Sequence, residues 1–152
     1  MLYELGARRP ELVAGHLPAF LALLGSKNNR NVWGALQAVE AVTDAAPAQV
    51  HAALPAVLAA ADKGSVIAKD KAVQILAKLA AAGHAEVALP VLLERVEAAA
   101  PNQFPMYAEA ASVVVDAGHR ERLRQILEAR LGQIEASAKR ARVEKILRRL
   151  QR

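Results

Sequence analysis

Residues 47–83 read PAQVHAALPAVLAAADKGSVIAKDKAVQILAKLAAAG, and the rest of the chain is best understood as variations on this stretch. A proline opens it, Leu54-Pro55 follows, and the polar run Asp62-Lys63-Gly64-Ser65 divides it in two. Ala72, Val73, Leu76 and Leu79 then recur at the spacing of one apolar helix face, and Gly83 closes the unit. The landmarks return on both sides. Leu17-Pro18, Leu54-Pro55 and Leu89-Pro90 lie 37 and 35 residues apart, Pro10 and Pro47 lie 37 apart, and Ala82-Gly83-His84 recurs as Ala117-Gly118-His119 after 35. Three independent markers therefore give one period, the signature of a repeat architecture.

Outward from this unit, the same two helical halves can be traced. Upstream, Leu17, Phe20, Leu21 and Leu24 form a leading helix face. A turn at 25–29 precedes Val32, Ala35, Leu36, Val39 and Val42 in a trailing helix. Downstream, Val91 and Leu92, a turn at 101–105, then Ala108, Ala111 and Val114 make a third unit. Leu123, Ile126, Leu127 and Leu131, a turn near Gly132, then Val143, Ile146, Leu147 and Leu150 make a fourth. Pro10 and Pro47 suit a first helical position, where the missing N–H has no partner to lose. Gly83 and Gly118 fall just past trailing helices, where a left-handed residue is wanted. Pro18, Pro55 and Pro90 fall inside leading helices and predict a kink there. Ser65 is expected to cap the helix that follows it.

Paired helices with a proline bending the first and a short polar turn between them resemble HEAT-like helical repeats. The stretch Lys27-Asn28-Asn29-Arg30-Asn31-Val32-Trp33-Gly34-Ala35-Leu36 is similar to the turn and second-helix start of such a repeat, although Asn and Arg-Asn-Val stand where the family often has Asp and Val-Arg. The expected fold is all-α, a right-handed α-solenoid of about four antiparallel helix pairs. It forms a single domain with a partial helix over 2–9 and repeats near 10–46, 47–83, 84–118 and 119–152. In HEAT-like arrays the trailing helices line the concave, partner-binding side. The resemblance therefore implies a stripe of Arg30, Trp33, Gln37, Glu40 and Asp44, then Asp70, Gln74 and Lys78, then Glu109, Ser112 and Asp116. Among HEAT-like proteins the alkylpurine DNA glycosylases hold DNA on a basic concave surface. A distant analogy would bring Trp33 and Asp70 together, but without the aromatic cluster that base excision needs.

Composition narrows the chemistry. The chain of 152 residues is 54% hydrophobic and 3% aromatic, with 35 alanines and no cysteine. That pattern reads as helical and excludes thiolate catalysis, disulfides and cysteine-ligated zinc. The N-terminus lacks a signal-peptide pattern, and the longest apolar runs, near ten residues at Ala52–Ala61, fall short of the ~20 a spanning helix needs. A cytoplasmic protein with no membrane partner is the expectation. His16 and His51 in leading helices, and His84 and His119 after the glycines, have no metal-ligand spacing, so no metal and no cofactor is expected and the latter two read as turn residues. Lys63-Gly64-Ser65 lacks the upstream glycine and strand of a phosphate loop. Ser26, Ser65, Ser112 and Ser137 have no nucleophile elbow, so no catalytic residue is assigned.

Two features could carry recognition. Trp33 lies one position off the core face, either packing on the neighbouring repeat or acting as an aromatic anchor with Arg30 in cation–π reach. The net charge of +5 is concentrated in residues 120–152, with 11 Lys/Arg against 4 Asp/Glu. Arg142, Lys145, Arg149 and Arg152 form a stripe there, flanked by Lys139, Arg140 and Arg148. It is either the solvated face of a capping repeat or a nucleic-acid contact. The reading that follows is a non-enzymatic scaffold for a protein partner, with Arg30, Trp33, Gln37, Asp70, Gln74 and Glu109 on its concave face. The alternative is nucleic-acid binding through the basic last helix.

Overall fold

Helices follow one another with only short turns between them in the computed structural model, which describes residues 8–152. They are α1 (Pro10–Ala14), α2 (Leu17–Leu23), α3 (Asn29–Thr43), α4 (Pro47–Ala52), α5 (Leu54–Lys63), α6 (Val66–Leu79), α7 (Ala85–Ala98), α8 (Phe104–Val114), α9 (Arg120–Leu131) and α10 (Ser137–Leu150). No strand occurs among the described residues, so the protein is all-α. The N-terminal helix expected over 2–9 lies, up to residue 7, outside them.

The period seen in the sequence sets the pairing. Helix α2 packs on α3, α5 on α6, α7 on α8 and α9 on α10. The second member of each pair also packs on its successor: α3 on α6, α6 on α8, and α8 on α10. The apolar faces read from the sequence form the core between them. Val32, Ala35, Leu36, Val39 and Val42 are buried, as are Ala72, Val73, Leu76 and Leu79, and Val143, Ile146, Leu147 and Leu150 in the last helix. One continuous cluster runs from Val13 to Leu150.

The prolines act differently from the kink expected of them. Pro18 and Pro55 lie in the first turns of α2 and α5, because the leading half of each of these units is broken into two short helices. Breaking the helix ahead of the ring removes the clash with the carbonyl four residues back, and the absent N–H then costs nothing. Pro90 remains inside an unbroken α7. In the third unit the stretch that matches α4, residues 82–87, is taken up by the turn at Gly83 and the first residues of α7, so the leading half there is one helix.

The two Ala-Gly-His turns also diverge. Gly83 has φ 99° and ψ 4°, the left-handed conformation expected of it. Gly118 has no positive φ. There the chain reverses around Asp116, whose Oδ1 accepts from the His119 backbone N–H at 3.0 Å and contacts His119 Nδ1 at 2.7 Å. A side chain thus closes the second turn where backbone geometry closes the first.

By length and composition alone, Val66–Ala98 could cross a membrane. Gly83 divides it into α6 and α7, each of 14 residues and so roughly 21 Å long, and the two pack against each other.

Candidate interaction surface

Six residues were expected to line a concave stripe, and three of them, Trp33, Asp70 and Glu109, reach across to the next unit. Trp33 is half-buried against the core, and its indole Nε1–H donates to Ser65 Oγ at 2.9 Å. This bond explains why Ser65, although at the N-cap position of α6, makes no side-chain cap: its hydroxyl oxygen faces the indole instead. The cap expected from Ser65 is found on α3, where Asn28 Oδ1 accepts from the Arg30 backbone N–H at 3.0 Å. Arg30 itself is exposed. The cation–π contact among the described residues is elsewhere, with the Arg130 guanidinium 4.3 Å from the centre of the Phe104 ring.

Asp70 accepts a 2.5 Å hydrogen bond from the Tyr107 hydroxyl. Burial of the ring and the carboxylate beside it push the Tyr107 hydroxyl well above the usual phenol range. Trp33 and Asp70 therefore serve separate contacts. Glu109 accepts two bonds from Arg142, each 2.7 Å. The guanidinium holds the Glu109 carboxyl below the usual range. Residues expected in two different surfaces are thus partners. Gln37 and Gln74 are half-buried in α3 and α6.

These contacts belong to a larger set that the sequence reading did not foresee. Lys71 Nζ meets Glu40 Oε2 at 2.8 Å, and Lys78 Nζ meets Asp44 Oδ2 at 2.8 Å and the Glu40 carbonyl at 3.1 Å. Arg95 bonds to both oxygens of Asp62. Arg130 donates to the carbonyls of Val96 and Glu97 at 3.2 and 3.1 Å, closing the last turn of α7 as a cation suits a helix C-terminus. The partners lie 31 to 38 residues apart, about one repeat. A search for opposite charges 31 to 34 residues apart, a little short of one period, would have found the charge pairs among them. Tyr107 with Asp70, 37 residues apart, falls on the full period without being a charge pair.

The basic candidates divide. Lys139 donates to Asn102 Oδ1 at 2.6 Å, Arg140 meets Glu144 at 3.2 Å, and Arg142 is held by Glu109. Lys145, Arg149 and Arg152, together with Arg148, are exposed and form no ion pair with the described residues.

The histidines have no common partner. His51 and His84 stack with ring centroids 4.5 Å apart and planes 17° apart, while His119 pairs with Asp116. His16 precedes α2 as its N-cap residue rather than lying within a helix. No group of three or more His, Asp or Glu side chains converges among the described residues. Set against protein-family models, curated protein sequences and solved structures, the chain finds no match in any of the three.

Proposed function

We propose that this chain is a right-handed α-solenoid of about four HEAT-like repeats that binds a protein partner, without enzymatic activity, on the face of its trailing helices. The succession α3–α6–α8–α10 supports this reading, because each helix packs on the next and side chains cross-link successive units. Such cross-links hold a long surface in one shape before a partner arrives, and preorganisation lowers the ordering cost of binding. Arg30, Gln37 and Gln74 remain on that surface outside any side-chain cross-link among the described residues, alongside Val113, which is 83% exposed. A photo-crosslinking residue placed at Gln37 or Gln74 should trap one protein in cells, and the same residue at Val87 on a leading helix should not. Adducts formed equally at all three positions, or at Val87 alone, would refute the assignment.

A second reading has its own observation: Lys145, Arg148, Arg149 and Arg152 hold four positive charges without ion pairs to the described residues. Nucleic-acid binding through them predicts a slope of log affinity against log salt of about −3 to −4, close to one counterion for each cation. A flat salt dependence, or retention of binding after all four are changed to Gln, would eliminate it.

A further inference from the structure

Three grooves lie in a row along the edge formed by the turns inside successive units. The first, of about 380 Å³, lies between Ser26–Asn29 and the end of α5, with Lys63 on its wall and Ala56, Ala59 and Ala60 as its floor. The second, of about 360 Å³, lies between the start of α6 and the end of α7, with Lys69 and Arg95 over Ala98–Ala100. The third, of about 380 Å³, lies between Pro101-Asn102 and Ile134–Lys139. They occupy the same place in successive units, so their row follows the stacking of the helices.

Charge along this edge is one-sided. Lys27 and Arg30 flank the first groove, and Lys63, Lys69, Arg95 and Lys139 line the row. The facing carboxylates are Asp62, already bonded by Arg95, and Glu135. The first turns of α3, α6, α8 and α10 carry no acidic residue. Arg30, Lys69 and Lys139 stand near the starts of α3, α6 and α10, where helix dipoles also point their positive ends. Such cations are unfavourable in the free protein and become favourable when an anion arrives. Lys63 and Arg95, by contrast, lie in the last turns of α5 and α7, where a cation is already suited.

We propose that this edge is a docking strip for an extended acidic polypeptide segment, with one carboxylate side chain entering each groove. The inference rests on the protein-binding reading but places the partner's acidic segment on a different face. Packed helices stand about 8–10 Å apart and an extended chain advances about 3.1–3.4 Å per residue, so the matching segment carries an acid at every third position. The occupant is a polypeptide rather than a nucleic acid, because the aliphatic and polar linings of the grooves offer no open aromatic face for a base to stack on. The one aromatic side chain lining the grooves, Tyr107, is buried, so its face is not open to a base.

A fluorescein-labelled peptide with Glu at every third position, spaced by Ser and Gly, tests this by anisotropy at low salt. Its composition-matched control places the same glutamates side by side. The spaced peptide should bind, the control should bind several-fold more weakly, and the triple variant Lys63→Gln, Lys69→Gln, Lys139→Gln should lose about tenfold or more. The variant's circular dichroism must match the parent, and the parallel change of Lys145, Arg149 and Arg152 to Gln should leave binding intact. Absence of binding, indifference to peptide spacing, dependence on the last helix instead of the edge, or tighter edge-dependent binding of oligo-dT would each overturn the proposal. Failure of the spaced peptide to bind, with crosslinks from Gln37 and Gln74 still formed in cells, would show that the strip had failed while the scaffold reading stood.

Discussion

Replacing Gly83 and Gly118 by alanine, one at a time, separates two turns that share the sequence Ala-Gly-His. At Gly83 φ is 99°, and a Cβ added there would meet nothing within 4 Å, so the penalty is purely conformational. A left-handed L-residue costs about 1–2 kcal/mol, partly offset by the stiffer unfolded chain of the alanine variant, so Gly83→Ala should lose on the order of 1 kcal/mol. Gly118 has no positive φ, and its added Cβ would lie 3.6 Å from Asp116 Oδ1, an ordinary contact. Gly118→Ala should therefore be neutral or gain roughly 0.4–1 kcal/mol from the unfolded state. The two variants should differ by about 1–2 kcal/mol, or roughly 2–8 °C in Tm for a chain of this size. Urea titration followed by circular dichroism at unchanged m-value measures this directly. Gly83→Asn should recover part of the loss, because Asn tolerates the left-handed region. Equal effects at the two glycines, or a larger loss at Gly118, would refute the assignment of the strained turn to Gly83.

Ser65→Ala leaves the half-buried indole N–H of Trp33 without its partner and should cost about 1 kcal/mol. The indole N–H signal of this lone tryptophan should also exchange faster with solvent. Tyr107→Phe removes the donor to Asp70. In the parent, the raised Tyr107 pKa means stability fully present below the unfolded phenol value of about 10 and lost as pH rises through the folded value. Phenolate absorbance from Tyr107 should then appear only with unfolding. Glu109 has the opposite sign: its carboxyl is lowered by Arg142, so that contribution is present above the unfolded value of about 4.3 and lost as pH falls through the folded one. The two side chains are each 44% exposed, so a Glu109→Gln, Arg142→Met double-mutant cycle at neutral pH should give no more than about 1 kcal/mol, and nearly none at pH 2.

The helical units were legible because apolar spacing survives in every one of them, even where the turn chemistry changes. Val143, Ile146, Leu147 and Leu150 are as clear in the sequence as they are buried in the structure. What the sequence concealed was local competition for the same group. Ser65 has the right residue type and position for a cap, yet an indole 32 residues away takes its oxygen. Gly118 follows the pattern of Gly83, yet Asp116 offers a side-chain route through the turn that Ala81, its counterpart 35 residues earlier, does not. The candidate surface suffered in the same way, since helical spacing places a side chain on an outer face without revealing that the neighbouring unit reaches over to meet it.

The cross-links also share a direction, and this separates structural cations from surplus ones. In the charged and tyrosine contacts the earlier helix supplies the acceptor and the later one the donor: Glu40 and Asp44 to Lys71 and Lys78, Asp62 to Arg95, Asp70 to Tyr107, Glu109 to Arg142. The pattern stops at α10, whose one carboxylate, Glu144, is taken by Arg140 within the same helix. Lys145, Arg148, Arg149 and Arg152 therefore stand outside the scheme that joins the units. Changing any of these four to Gln should leave stability within about 0.5 kcal/mol, as for other exposed positions. Changing Lys71, whose pair with Glu40 is only 24% and 20% exposed, should cost more, about 1 kcal/mol or above, because a partly buried carboxylate is left alone. Comparable losses at Lys71 and Arg149 would mean that Arg149, like Arg142, is joined to the fold by charge, and it would then lose its claim to be available for an outside partner.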